Sequence, residues 1–167
     1  TEYTLDDDGQ VTKIIRKELN HDDSNGMGTS DFIRTYTYNW YDSGHRLTDT
    51  AVYGTNNSDG WKDNSSAPSY GGSAPSRSDT ILVTTNTYNA SGRLEKVTDP
   101  RAVDTLSEFD VLGRMVAKTE DYGTSKLNRK TEYQYNGEGN LVRIIADQGA
   151  DNTFSNGTWT MSGSDVD

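Results

Sequence analysis

A chain of 167 residues is long enough to bury most of a single core, yet only 31% of this one is apolar, and ten of those residues are tyrosines whose hydroxyls need to stay wet or bonded. Its formal charge of −10 argues against nucleic acid or an anionic membrane as partner, because both call for a basic stripe. The absence of Cys excludes a disulfide framework and a thiolate metal site. Nor is there an apolar run of the length, about 18 residues, that a membrane-spanning helix needs. The first residue is Thr1, not Met, and no charged-then-apolar leader follows, as expected of a piece of something longer.

In chain order, Leu5-Asp6-Asp7-Asp8-Gly9-Gln10-Val11 introduces a motif that recurs: a bulky apolar or aromatic residue, Asp or Asn, two free positions, Gly, a polar residue and a second bulky apolar one. Asp or Asn at the first place of a four-residue turn caps it through the side chain. Gly at the fourth place accepts the left-handed conformation, so the motif reads as a type I turn with a G1 bulge. This sets a hairpin turn at 6–9, with Leu5 facing Val11. A loop is expected from Asn20 to Ser30. A second copy reads from Tyr38-Asn39 through Gly44 to Leu47, around a loop three residues longer than the others. From Gly54 to Ser78 the Asn-, Ser-, Gly- and Pro-rich composition reads as loop or disorder.

Three strict copies follow, Tyr88 to Leu94, Phe109 to Met115 and Tyr135 to Leu141, which places turns at 89–92, 110–113 and 136–139. Their outer residues should face each other as the pairs Tyr88–Leu94, Phe109–Met115 and Tyr135–Leu141, each contributing roughly 0.2–1 kcal/mol. The flanks alternate as strands do, for example 131–135 and 141–145, and no stretch has helical periodicity of similar quality. Val97, Val116, Val142, Ile144 and Ile14 put aliphatics on the opposite face, which is expected to be covered in part. Beyond Asp147, the stretch from Asp151 to Trp159 reads as one more hairpin, shorter and off the register.

Candidate sites are few. His21 and His45 sit in or beside turns, outside any metal-ligating or triad spacing. Asp6, Asp42 and Asp110 have a turn to cap. Of the arginines, Arg93 and Arg114 flank the bulge opposite Asn89 and Asp110 and suit a cross-strand ion pair or hydrogen bond. Asp6-Asp7-Asp8-Gly9 and Asp22-Asp23-Ser24-Asn25-Gly26 offer the oxygens that calcium wants. Set on the calcium-loop pattern, however, Gly26 leaves His21 and Phe32 at the end positions, and Gly60 leaves Thr55 and Ser66 there. The expectation is no cofactor, with calcium the one ion the composition would accept. Trp40, Trp61 and Trp159 are expected in turns or loops and, with Tyr70, are the candidate glycan contacts, as ring faces beside Asn, Asp and Gln stack and bond sugars. Tyr3, Tyr36, Tyr38, Tyr88, Tyr133 and Tyr135 recur in register and read as a structural ladder.

The aromatic-Asp-x-x-Gly-Arg-apolar unit resembles the bacterial YD-repeat or Rhs family, whose relatives include toxin-complex shells and teneurins. Thr98-Asp99-Pro100-Arg101 followed by Phe109-Asp110-Val111-Leu112-Gly113-Arg114 is close to a full family unit. The resemblance covers 1 to about 149 and is strongest from Thr80 to Gly149. It implies an all-β fold of consecutive antiparallel hairpins wound into a spiralling, solenoid-like sheet or partial shell, with tyrosines stacked on its inner wall. In that organisation 1–149 forms an array of about five repeats interrupted by a loop insertion at 54–79, and 150–167 is a degenerate terminal hairpin or tail. The structural residues carried over are Tyr38, Tyr88, Gly92, Arg93, Phe109, Asp110, Gly113, Arg114, Tyr135 and Gly139. The repeats are too few to close a shell, so what carries over is architecture. The implied function is non-catalytic: wall or stalk of a larger secreted, cell-surface or toxin-encapsulating bacterial protein, extracellular or at the cell surface, whose partners are neighbouring repeats or copies of itself stacked end to end. The alternative is a carbohydrate-binding module using the loop aromatics.

Overall fold

A computed structural model describes residues 1–19, 32–54, 61–62, 67–123, 126–146, 152–155 and 158–161. The expected loop from Asn20 to Ser30, with His21 and the Asp22–Gly26 cluster, lies outside the described residues. The elements are β1 (Glu2–Leu5), β2 (Val11–Leu19), β3 (Phe32–Tyr41), β4 (Leu47–Tyr53), β5 (Trp61–Lys62), β6 (Ile81–Tyr88), β7 (Leu94–Thr98), β8 (Asp104–Phe109), β9 (Met115–Tyr122), β10 (Arg129–Tyr135), β11 (Leu141–Ala146), β12 (Asn152–Ser155) and β13 (Thr158–Met161). Two compact units divide the chain, Thr1–Asn86 with Asp99–Arg101, and Thr87–Thr98 with Ala102–Asp167.

Hydrogen-bonded strands follow chain order in the antiparallel path β1-β2-β3-β4-β6-β7-β8-β9-β10-β11, β5 adds to β3, and β12 pairs with β13 in a separate ribbon. The path is open, because β1 and β11 end it and no pairing joins them, and the sheet is not strongly curled. The expected spiralling, solenoid-like or shell-like sheet is therefore corrected to an open meander of sequential hairpins. The physical reason lies in the turns. A tight bulged turn pairs each strand with the next in sequence, whereas a spiral needs continuing curl or pairing that returns to an earlier strand, and the motif supplies neither.

Five turns share one hydrogen-bond pattern. Asp6, Asp42, Asn89, Asp110 and Asn136 each accept, through the backbone carbonyl, the N–H three residues on, at 2.9–3.1 Å. Each also bonds with its own N–H the carbonyl four residues on. Oδ1 of the same side chain accepts two further backbone N–H groups, for example Leu112 and Arg114 on Asp110 at 3.0 and 2.9 Å. The fourth residue takes positive φ: Gly9 81°, Gly92 77°, Gly113 83° and Gly139 88°. The register shifts that mark the bulge fall at Thr4/Leu5, Trp40/Tyr41, Glu108/Phe109 and Gln134/Tyr135, and Leu5 pairs with Val11, Phe109 with Met115 and Tyr135 with Leu141.

The second turn departs from the sequence reading. It is not an expanded loop starting at Tyr38-Asn39. β3 runs on to Tyr41, and the turn is a full-length copy, Tyr41-Asp42-Ser43-Gly44-His45-Arg46-Leu47, with Tyr41 paired to Leu47. His45 holds the glycine position at φ 62°, a conformation His tolerates better than most side chains.

The first unit carries the buried aromatics. Tyr36, Tyr38 and Trp40 alternate along one face of β3 and join Ala51, Tyr53 and Val83 in the core, with Tyr36 and Tyr38 only 1% exposed. Register sets the rows. Ile15, Tyr36, Tyr53 and Ile81 are consecutive cross-strand partners, as are Lys13, Tyr38, Ala51 and Val83. The segment 67–79 lies over this face. The Tyr38 hydroxyl donates to Pro68 O at 2.6 Å, Trp40 Nε1 donates to Gly71 O at 2.8 Å, and Ala74 packs on the cluster. Arg77 ties the segment down, with Nε donating to Val83 O and Asp99 O and a terminal nitrogen to Thr85 Oγ1 at 2.8 Å. Among the described residues of the second unit the buried side chains are fewer: Ala117, Thr119 and Ile145. Residues 55–60, 63–66 and 147–151 lie outside the described part.

Candidate functional site

In the second unit the turns at 89–92, 110–113 and 136–139 are linked through their arginines. Arg93 lies over the Phe109 ring at 6.0 Å, and Arg114 lies over the Tyr135 ring at 4.5 Å. In both cases the arginine at the sixth place of one turn reaches the aromatic at the first place of the next, a cation–π contact. Gly113 completes the Arg93 arrangement, since a Cβ on it would fall on the guanidinium. Arg114 also closes on its own turn, Nε donating to Asp110 Oδ2 at 2.7 Å, as Arg46 does to Asp42 at 2.8 Å. Arg93 bonds Asn89 through its backbone N–H at 3.0 Å. The Tyr135 hydroxyl donates to Met115 O at 2.9 Å, and Tyr88 ends β6 at the entrance to its turn.

These bonds set the electrostatics. The Arg46 side chain first, then its backbone N–H, hold the Asp42 carboxyl below the usual range. For Asp110 the Arg114 backbone N–H is the larger cause, followed by the Arg114 guanidinium. A carboxyl lowered in the folded state contributes stability that is fully present above its unfolded value, about 3.9, and fades only as pH falls through the lowered folded value. Carbon-detected NMR titration should accordingly place both carboxyl midpoints below that of free aspartate, with the Asn89 and Asn136 turn amides unmoved over the same range. Midpoints at or above free aspartate would contradict the turn geometry.

Three of the four candidate glycan contacts are placed differently from the sequence reading, while Tyr70 lies in the irregular segment expected for it. Trp40 lies in β3, Trp61 in β5 and Trp159 in β13, so all three are in strands and not in turns or loops. Trp40 is 6% exposed and stacks on Tyr70 with ring centroids 5.2 Å apart and planes 19° apart. Tyr70 is 48% exposed and donates its hydroxyl to Asn39 O at 2.8 Å. Tyr38 meets Tyr53 and Tyr70 edge-on at 5.4 and 5.5 Å, and burial pushes its phenol up to about 12. Burial, followed by the nearby Asp6 charge, also raises Tyr70. Of the side chains of Trp61 and Trp159 nothing is described.

Beside Tyr70 opens a cleft of about 430 Å3 between the first two turns, lined by Asp6, Asp8 and Gln10 on one side, Tyr41, Asp42, Ser43 and His45 on the other, and Tyr70 to Gly72 above. Sequence reasoning missed it. Its signal was the sevenfold frame from Tyr41 to Leu47, which sets Tyr41 and His45 opposite the first turn. His45 Nδ1 stands 3.8 Å from Asp8 Oδ2. Among the described residues no group of three or more His, Asp or Glu is placed to hold a metal ion, and no helix is long and apolar enough to cross a membrane.

No protein-family model matches the chain, and no curated protein is similar enough to count as a relative.

Proposed function

We propose that the chain is a non-catalytic structural segment of YD-repeat type, forming wall or stalk of a larger secreted or cell-surface bacterial protein. The observation that supports this reading is the use of the repeat's polar positions. Each Asp or Asn of a turn is bonded to backbone N–H groups. Arg46 and Arg114 close on the carboxylates, and Arg93 and Arg114 lie on the rings that follow. The capping carboxylates and the arginines of the repeat are thus joined into architecture, and nearest-neighbour contacts of this sort build arrays. Strands β1 and β11 each have one side that no strand of the path covers, which leaves backbone donors and acceptors for neighbouring repeats or a second copy.

The test pairs two measurements. Protease treatment of intact cells producing the parent protein should cleave within this segment, and sedimentation of the purified chain should show association that grows with concentration. Full protection on intact cells overturns the surface placement. A monomer at every concentration overturns stacking between copies.

A further inference from the structure

The first turn lacks the arginine that, in the second unit, reaches from one turn to the ring of the next. Gln10 holds the place of Arg93 and Arg114 in the motif, and Tyr41 holds the ring place of Phe109 and Tyr135. Where those pairs put a guanidinium, this one has the cleft of about 430 Å3, walled by Gln10, Tyr41, Asp6, Asp8 and Asp42. We propose that the cleft receives a guanidinium from another molecule, an arginine side chain on a basic segment of a partner protein, seated over Tyr41 as Arg114 is seated over Tyr135.

The two internal precedents decide which pose is open. His45 stands where the later turns have glycine, so it carries a Cβ that they lack. At Gly113 such a Cβ would collide with the Arg93 guanidinium, whereas at Gly139 it would stand 3.7 Å from Arg114 Nη1, an ordinary contact. A Cβ at position 45 is therefore compatible with the Arg114 pose and disfavours the Arg93 pose. Carboxylates supply the second half of the recognition. Asp42 is bound by Arg46, but the Asp8 carboxylate is 66% exposed and lies beyond hydrogen-bond distance of His45 at 3.8 Å. A planar guanidinium can stack on a ring while its edge N–H groups reach a carboxylate, which an ammonium cannot do. The net charge of −10 favours approach of a basic segment.

The probe is a tri-arginine amide peptide titrated into the whole chain and followed by amide chemical shifts. Saturable shifts at Gln10, Tyr41 and His45 are expected, with tri-lysine amide weaker by about tenfold. Gln10→Arg supplies the guanidinium from within the chain and should weaken tri-arginine binding by about tenfold while the thermal midpoint holds or rises. Asp8→Asn, at an exposed position, should weaken it without unfolding the protein. Equal affinity for tri-arginine and tri-lysine overturns the proposal in favour of unspecific charge attraction. Unchanged affinity in both variants overturns it as well. So does chitohexaose that shifts the same amides and is not displaced by tri-arginine, which would give the cleft to a neutral glycan.

Discussion

Replacing Tyr38 with alanine is expected to destabilise the first unit by roughly 3–5 kcal/mol, the range for truncating a buried aromatic that its surroundings cannot collapse around. Tyr38 is 1% exposed, with Tyr36, Trp40, Tyr53 and Tyr70 ringed about it. Its neighbour across the ladder, Ala51, is too small to fill the void. The substitution also removes the donor to Pro68 O, so the covering segment loses a bond as well as a packing surface. Tyr38→Phe separates the two effects. It keeps the ring and leaves Pro68 O without that donor, which costs about 1 kcal/mol. Urea unfolding followed by tryptophan fluorescence gives the two values, and hydrogen exchange over 67–79 reports the covering segment. Exchange should quicken in both variants, while only alanine should move the unfolding midpoint far. Equal midpoints in the two would show that the hydroxyl, and not the ring, holds the core.

The turns were legible in the sequence because their chemistry is local. A capping Asp or Asn and a left-handed Gly act within four residues, and the pairs Phe109–Met115 and Tyr135–Leu141 follow once the turn is fixed. The frame at Tyr41 was misread for a physical reason: His45 takes the left-handed conformation without being glycine, so a search for Gly slides to Gly44. Arg46 and Leu47 at the sixth and seventh places were the better guide. The cover over β3 was not legible at all. It is held by the carbonyls of Pro68 and Gly71, about thirty residues from their donors, and a carbonyl has no side-chain signature. Nor does a repeat pattern encode curvature, and so the spiral expected from resemblance gave way to an open meander. The cleft needed both facts, the corrected frame of the second turn and the placement of Tyr70 above it.

Of the turn glycines Gly9, Gly113 and Gly139, Gly113 should be the least replaceable. Gly113→Ala is expected to cost about 1–3 kcal/mol: about 1–2 for left-handed backbone at a residue with a Cβ, and up to about 1 for displacing Arg93 from the Phe109 ring. The guanidinium is the far end of a flexible side chain, so it swings aside and the collision itself is relieved. What is lost is the contact between turns. Gly9 and Gly139 supply the comparison, since Gly9 at φ 81° has nothing within 4 Å of an added Cβ and Gly139 at φ 88° has only Arg114 Nη1, at 3.7 Å. Alanine at either should cost only the backbone part, about 1–2 kcal/mol. A double-mutant cycle isolates the remainder. On an Arg93→Met background, where no guanidinium is left to displace, the cost of Gly113→Ala should fall to the value found at Gly9. If the cost stays high there, the backbone at 113 is strained for a reason other than Arg93, and the arginine contact does not couple one turn to the next.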